Sequence, residues 1–357
     1  MPNIAADRLH ALVTVTVRAM GSSAAEARDV ADHLVAANLS GHDSHGVGML
    51  PDYVRLRHAG LLVPDQTLEV VADKGSVLVL DAKRGFGQAM AKEAMRRGIA
   101  RARELGSAVV ALRNSSHIGR IGHWAEQCAA AGMLSVHFVN VADHPPLQAP
   151  FACADARLGT NPFAAAVPDG AGAAMLLLDM ATSAIAFGKA RVARNKGVPV
   201  PEGVLIDEHG HPTTDPTTYV DTRRGALLAF GGHKGSGMAI LSEVLGAAVT
   251  GGATIAPHHV QQDGILNSML SFILDLGAVG DPAHIAGETA AVGDWIKSAP
   301  CAPGFAEILL PGEPERRARE RRLAEGVPID DKSLADILAA ARSLGVADGD
   351  LDRALGR

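Results

Sequence analysis

The texture of the chain changes twice. Residues from about 4 to 40, and again from about 314 onward, carry helical periodicity. The stretch between them breaks into short β-like runs separated by glycine turns and helices. A chain that begins and ends as helix around an α/β middle has two apolar helical faces to bury, and they can bury each other. The pattern predicts a discontinuous helical domain from residues 1–70 plus 312–357, and an α/β domain from residues 71–311. A length of 357 residues suits two such units.

Local signals fill in this outline. Leu9, Leu12, Val13 and Val17 fall on one face of a first helix, and Ser23 with Glu26 is a capping-box pattern opening a second. A polar segment, 41–46, ends that helix. Pro51 lies in the first turn of a third, where its missing N–H costs little. "LEVVAD", "SVLVLDA", "SAVVALRNSS", "LSVHFVNV", "AAMLLLDMA" and "MLSFILDLG" predict strands. "GQAMAKEAMRRGIARARELG" and "IGHWAEQCAAAGM" predict helices.

Composition narrows the class. With 47% hydrophobic and 20% charged residues the chain is an ordinary globular one. The net charge is −6, and the arginines at 316, 317, 319, 321 and 322 alternate with Glu315, Glu320 and Glu325. That is a solvated helix face, so no nucleic-acid partner is expected. Cys128, Cys153 and Cys301 are scattered, with no CxxC pair, which fits a reducing cytoplasm and no zinc site. No leader-like start and no unbroken apolar run of 18 residues occurs, so neither a signal peptide nor a membrane span is expected.

Five stretches carry chemistry. "VLVLDAKRGFGQAM" imitates a dinucleotide-binding turn, but Met90 stands where that turn needs a third small residue, so a Rossmann site is not expected. "RNSSHIGRIGHW" holds His117, Gly119, Arg120 and Gly122 between a strand and a helix; it fits either an anion-facing site loop or an ordinary turn. "GGHKGSGM" places Lys234 among glycines before a helix, as a phosphate-facing lysine or a hinge. "LLLDMATSAIAFGKA" brings Asp179 out of an apolar strand, either to orient a histidine or to cap the next element. "HDSHGVGML" offers His42 and His45 with no strong third metal ligand nearby, so acid/base chemistry is the better use of an imidazole.

Taken in order, "GHDSHGVGMLPDYV", "NSSHIGRIGHWAEQ", "LGTNPFAAAVP", "LLLDMATSAIAFGKARVARNKGVPVPEGVLIDEHGHPTTDP", "HKGSGMAILSEVLGAAVTGG" and "LPGEPE" resemble the malate/L-lactate dehydrogenase-type oxidoreductases, a family unrelated to the Rossmann lactate dehydrogenases. They span residues 41 to about 315. "SHGVGMLP", "HIGRIGHWAEQ" and "NSMLSFILD" look most like the hydroxycarboxylate dehydrogenase B subgroup, which acts on 2-hydroxy acids and 2-oxo acids. The resemblance implies a sulfolactate dehydrogenase-like α/β fold with a non-Rossmann mixed sheet, NAD or NADP as cofactor, and a homodimer. Carried over by position, it implies His45 and His117 as competing acid/base candidates, with Asp179 orienting His45. Ser44 and Arg120 are implied at the substrate. The implied cofactor contacts are His45, Gly119, Arg120, Ile121, Gly122, Asp179, Met180, Ala181, Thr182, Ser183, Lys234, Gly235, Gly312 and Glu313. One departure stands out: Met49 occupies a place where many members carry a substrate-holding arginine. An NADPH-dependent cyclic-imine reductase and a non-catalytic cofactor-binding protein are the alternative readings.

Overall fold

A computed structural model describes residues 3–259 and 262–357. Met1 and Pro2, the first residues of the expected helical domain and of the segment read for a leader, lie outside the described residues.

The chain opens with β1 (Asn3–Ile4), α1 (Ala6–Ala19), α2 (Ala24–Leu39) and α3 (Leu50–His58). β2 (Glu69–Lys74) and β3 (Val77–Asp81) follow. Next come α4 (Gly87–Leu105), β4 (Ser107–Ser115), α5 (Gly122–Ala130), β5 (Met133–Ala142), β6 (Phe163–Pro168) and β7 (Ala174–Met180). A small satellite holds α6 (Phe187–Lys196), β8 (Leu205–Ile206), α7 (Thr217–Thr222) and β9 (Ala226–Leu227). α8 (His233–Glu243) runs into a π-helical turn, Val244–Ala248. β10 (Leu266–Asp275), α9 (Pro282–Lys297), α10 (Glu313–Glu325), β11 (Val327–Pro328), α11 (Asp331–Ser343) and α12 (Asp348–Leu355) complete it.

The main sheet has the order β2-β3-β4-β10-β5-β6-β7. β3 and β4 pair in parallel across the α4 crossover, and the other neighbours in this sheet are antiparallel. This is the expected mixed, non-Rossmann sheet. The Gly85 turn shows why: an added Cβ there would stand 3.0 Å from Met90 Cγ, so the methionine fills the space a dinucleotide-binding turn leaves open. The late strand β10 is not at an edge. It inserts between β4 and β5.

The two ends of the chain share one apolar core. Leu9, Leu12, Val13 and Val17 of α1 are completely buried in a cluster that also holds Ile337, Ala341, Leu351 and Leu355. β1 pairs with β11, and Arg8 Nη1 donates to the Leu355 carbonyl at 3.1 Å. The capping box is half formed. Ser23 Oγ accepts from the Glu26 N–H at 3.2 Å, but Glu26 Oε2 accepts from the Asp65 N–H (2.8 Å) and the Ser23 N–H donates to Asp65 Oδ1 (2.9 Å). The reciprocal bond is replaced by a tie to the loop after α3.

Among the described residues no helix is long and apolar enough to cross a membrane. The arginine-rich α10 has no fully buried side chain, yet it is more than a solvated face, because Arg322 reaches inward to the loop after α2.

Candidate active site

α2 ends at Leu39, and Asp43–His45 forms a single 3-10 turn. Asn38, 1% exposed at the end of α2, holds both sides of that turn. Its Nδ2 donates to Asp43 Oδ1 at 2.7 Å and its Oδ1 accepts from the Val47 N–H at 2.8 Å. A Cβ on Gly46 would sit 2.2 Å from Asn38 Oδ1, so only glycine lets the loop close on this amide. Arg322 donates to Asp43 through Nη1 (2.6 Å) and Nη2 (2.9 Å), and His42 Nε2 lies 3.2 Å from Glu315 Oε1. Helices from opposite ends of the chain therefore clamp the turn. His42 is committed to Glu315, and His45 is the histidine left to face the site.

His45 is half-buried. Its Nδ1 lies 3.3 Å from His117 Nε2, with the rings stacked at 5.3 Å and 17°. His117 Nδ1 lies 2.7 Å from Tyr53 Oη, and Gln88 Nε2 donates to the same oxygen at 2.7 Å. Four side chains from a turn, a loop, α3 and α4 thus form one line running from the surface into the core. Burial lowers the His45 pKa to about 4, opposed by the nearby Asp179 charge, and burial lowers His117 to about 3. Both shifts favour the neutral rings at pH 7, the form in which His45 is expected to take a proton in the oxidative direction.

Beside this line lies an ion cluster built on a buried arginine. Arg120 is 1% exposed, and Nε donates to Asp179 Oδ2 at 2.9 Å. Its Nη1 donates to Ser40 Oγ (3.2 Å) and Glu126 Oε2 (3.0 Å), and its Nη2 to Glu126 Oε1 (3.0 Å). Four of the five guanidinium N–H groups are thus held by protein partners, which leaves one Nη2–H for the substrate or cofactor contact expected of Arg120. Its backbone N–H is spent too, on His33 Nε2 at 2.8 Å. Asp179 makes no hydrogen bond to His45; it acts on that ring through its charge. A Cβ on Gly122 would stand 2.4 Å from Asp179 Oδ2, and one on Gly119 (φ +75°) 2.0 Å from His33 Nε2. The two glycines of the loop are there for close approach.

The remaining expected residues gather along the end of β7. Gly312 (φ +93°) packs against Leu177, whose N–H donates to the Pro311 carbonyl at 3.1 Å. Met180 and Ala181 are half-buried, Thr182 is buried with Oγ1 donating to the Thr160 carbonyl (2.8 Å), and Ser183 bridges to Ala229. The Phe230 N–H donates to the Thr182 carbonyl at 3.1 Å, and a Cβ on Gly235 would meet the Phe230 carbonyl at 1.9 Å. That chain of contacts places the start of α8, with Lys234, beside Thr182 and Ser183. Ile121 is buried at the start of α5. Glu313 is turned to Lys297 and to the Leu310 N–H (2.9 Å), so it shapes the loop. Ser44 is exposed, 3.6 Å from where a Gly188 Cβ would stand, and Met49 packs on the helical core.

A nicotinamide dinucleotide fits this edge chemically. Lys234 is exposed without a hydrogen-bond or ion-pair partner among the described residues. Ser183 Oγ is buried with no partner. A cavity of about 430 Å³, lined by Phe151, Ala184, Leu228, Ala229 and Gly232, opens next to it.

This fold and this site define a class. The chain belongs to the malate/L-lactate dehydrogenase family, whose pattern it matches over residues 4–338, and it is an oxidoreductase of the 2-hydroxy acid type. The particular likenesses are to hydroxycarboxylate dehydrogenase B of Escherichia coli (strain K12), 48% identical over 343 residues, 96% of this chain and 94% of that one. The structure of sulfolactate dehydrogenase from Methanocaldococcus jannaschii superposes with a TM-score of 0.86 at 31% identity, covering 98% and 99% of the two chains. That of Δ1-piperideine-2-carboxylate reductase from Pseudomonas syringae pvar. tomato superposes at 0.81 and 27% identity, covering 95% and 100%.

Sequence reasoning passed over Tyr53, Gln88, Asn38, His33 and Glu126. One signal was available for Asn38 and His33: polar residues on the apolar stripe of α2 need partners. Gln88 sat inside the segment set aside as a failed Rossmann turn.

Proposed function

We propose that the protein is an NAD- or NADP-dependent dehydrogenase that interconverts 2-hydroxy acids and 2-oxo acids, with His45 as the acid/base group. The observation that carries the reading is the His45–His117–Tyr53 line meeting the Asp179–Arg120 pair at one edge of β7. Gly119, Ile121, Gly122, Met180–Ser183, Lys234, Gly235 and the Gly312–Glu313 turn would hold the dinucleotide. When bound, its nicotinamide supplies or takes up hydride at C2 of the substrate. In the oxidative direction, His45 Nε2 receives the hydroxyl proton. His117 supports the ring from behind, and the Asp179 carboxylate favours the charge that appears on it. In reduction the same proton returns to the oxygen at C2. Ser44, exposed on the turn, is placed to hydrogen-bond the substrate. Arg120 serves by fixing Asp179.

The test is oxidation of NADH and of NADPH against pyruvate, oxaloacetate, 2-oxoglutarate, phenylpyruvate, hydroxyphenylpyruvate and a cyclic imine. Turnover of several 2-oxo acids supports the reading and ranks its substrates. Turnover of the imine alone replaces it with the reductase alternative, which the likeness to the piperideine reductase keeps in play. Silence with all of them, while either nucleotide still binds, leaves the family fold standing and the substrate class open.

We further propose a cytoplasmic homodimer. The exposed Val292, Trp295, Ile296 and Phe305 on and after α9 give it an apolar surface to bury. Light scattering at the mass of one 36.8 kDa chain would remove this part.

A further inference from the structure

The line of polar groups behind His45 has a direction. Gln88 Nε2 carries hydrogens and no free lone pair, so it donates to Tyr53 Oη. The one Tyr53 hydroxyl proton is then left for His117 Nδ1. With Nδ1 accepting, neutral His117 carries its hydrogen on Nε2 and gives it to His45 Nδ1. Neutral His45 ends with its hydrogen on Nε2. Every hydrogen points outward. In this state His45 Nε2 has no lone pair to take a proton from an alcohol. An imidazolium at His45 would also set its Nδ1–H against the Nε2–H of His117.

The reverse direction needs an acceptor at the inner end, and one is present. Gln88 is 1% exposed, and its Oε1 is buried without a hydrogen-bond partner. Half a turn about the Cγ–Cδ bond exchanges Oε1 with Nε2. Tyr53 then donates to Oε1, His117 Nδ1–H to Tyr53 Oη, and His45 Nδ1–H to His117 Nε2. His45 Nε2 is left with its lone pair free. When the substrate O–H bond breaks, its proton goes to that lone pair, the C2–H pair leaves as hydride to oxidised nicotinamide, and the imidazolium keeps an acceptor behind it.

We propose that Gln88 is a positioning residue whose amide orientation sets the direction of the Gln88–Tyr53–His117–His45 line, and with it whether His45 rests as a donor or works as a proton acceptor. The proposal deepens the acid/base assignment of His45 and rests on it. The other charged and titratable groups facing the line are Asp179 from β7, Arg120 from the loop before α5, His42 from the turn, His33 from α2 and Asp52 beside Tyr53. All of them are unchanged in the variants below.

Two substitutions pull in opposite directions. Ionised Gln88→Glu offers Tyr53 only acceptors and fixes the inward direction; Gln88→Met offers nothing and leaves Tyr53 donating to His117. Inward hydrogens favour the imidazolium, so in Gln88→Glu the rising limb of kcat/KM for 2-hydroxy acid oxidation moves to higher pH by about one unit, a tenfold loss at fixed low pH. In Gln88→Met the limb moves to lower pH, and kcat falls about tenfold, with KM for the nucleotide unchanged. Equal shifts, or none, overturn the proposal. A second measurement needs no turnover: ring ¹⁵N shifts of the resting protein should show Nε2–H tautomers at His45 and His117, and Nδ1–H tautomers in Gln88→Glu. Tyr53→Phe, which cuts the line, should make the His45 tautomer indifferent to residue 88. Reversed tautomers in a protein that turns over no 2-oxo acid would sink the proposed function and keep the switch. Identical tautomers in wild type and Gln88→Glu would sink the switch alone.

Discussion

His137 and His117 are both buried, and burial lowers both to about 3. His137 lies inside the sheet with Nδ1 2.8 Å from Ser271 Oγ and Nε2 2.9 Å from Ser135 Oγ. Its neighbours are hydroxyls that turn to suit either tautomer, and the arrangement closes on itself. His117 lies between a tyrosine and a second histidine, and that second ring is half-buried beside a carboxylate. A depressed pKa therefore marks burial in both places and a site in only one. What separates them is an open end: a line of hydrogen bonds that reaches a ligand-accessible nitrogen, with glycines nearby that bring other groups within reach.

The comparison breaks most sharply on substitution. His45→Ala should lower kcat by roughly 10²–10⁴-fold with nucleotide binding retained, while His137→Asn should keep kcat within about threefold, since no proton leaves that cluster. Steady-state kinetics with nucleotide titrations would check both. A near-normal His45→Ala beside a dead His117→Ala would exchange the two roles.

Next in size is Arg120→Met. It strands the carboxylates of Asp179 and Glu126, and breaking such a buried pair costs about 3 kcal/mol. This is the low end of the usual range, because the Glu126 side chain is 38% exposed. Urea unfolding would show it, and a loss under about 1 kcal/mol would mean that solvent reaches the cluster.

Acid tests both histidine sites at once. His45, His117 and His137 are depressed from 6.5 to about 4, 3 and 3. The unfolded chain takes up those protons first, so the stabilisation is complete above about pH 6.5 and drains as pH falls toward 4 and 3. Each ring contributes on the order of 3 kcal/mol to the loss between pH 7 and 4, read as a fall in Tm. Nucleotide with 2-oxo acid should change the part of this curve that belongs to His45 and leave the His137 part in place. The smallest effect is that of Lys234→Ala. It should raise KM for the nucleotide about tenfold, the worth of one charge-assisted contact, without changing kcat.

The helical ends were legible because α1 and α11 bury one stripe each, and a stripe is a local pattern. The candidate residues His45, His117 and Asp179 were legible from their segments. Their partners were not. Tyr53, Gln88 and His117 meet from three elements, and no spacing in the sequence announces a hydrogen bond between them. The ion pairs of Arg120 were hidden for the same reason: a free arginine and one gripped by two carboxylates look alike until the fold brings up Asp179. α9 was missed because it is largely exposed and lacks a buried stripe, although Asp281 before Pro282 was a start signal, and Asp281 Oδ1 does accept from the Ala283 N–H at 3.0 Å. The central place of β10 could not be read, since strand order is a property of the sheet.

The shared helical core also sets a timetable. α1 packs on its sequence neighbour α2 at once, but the part of its apolar face that α12 covers stays open until that distant helix has been made. At synthesis rates of about 5–20 residues per second, Leu9, Leu12 and Val13 wait on the order of tens of seconds for their partners. Through that interval the nascent chain carries part of the α1 stripe uncovered, which leaves this helix open to aggregation and to a chaperone's hold.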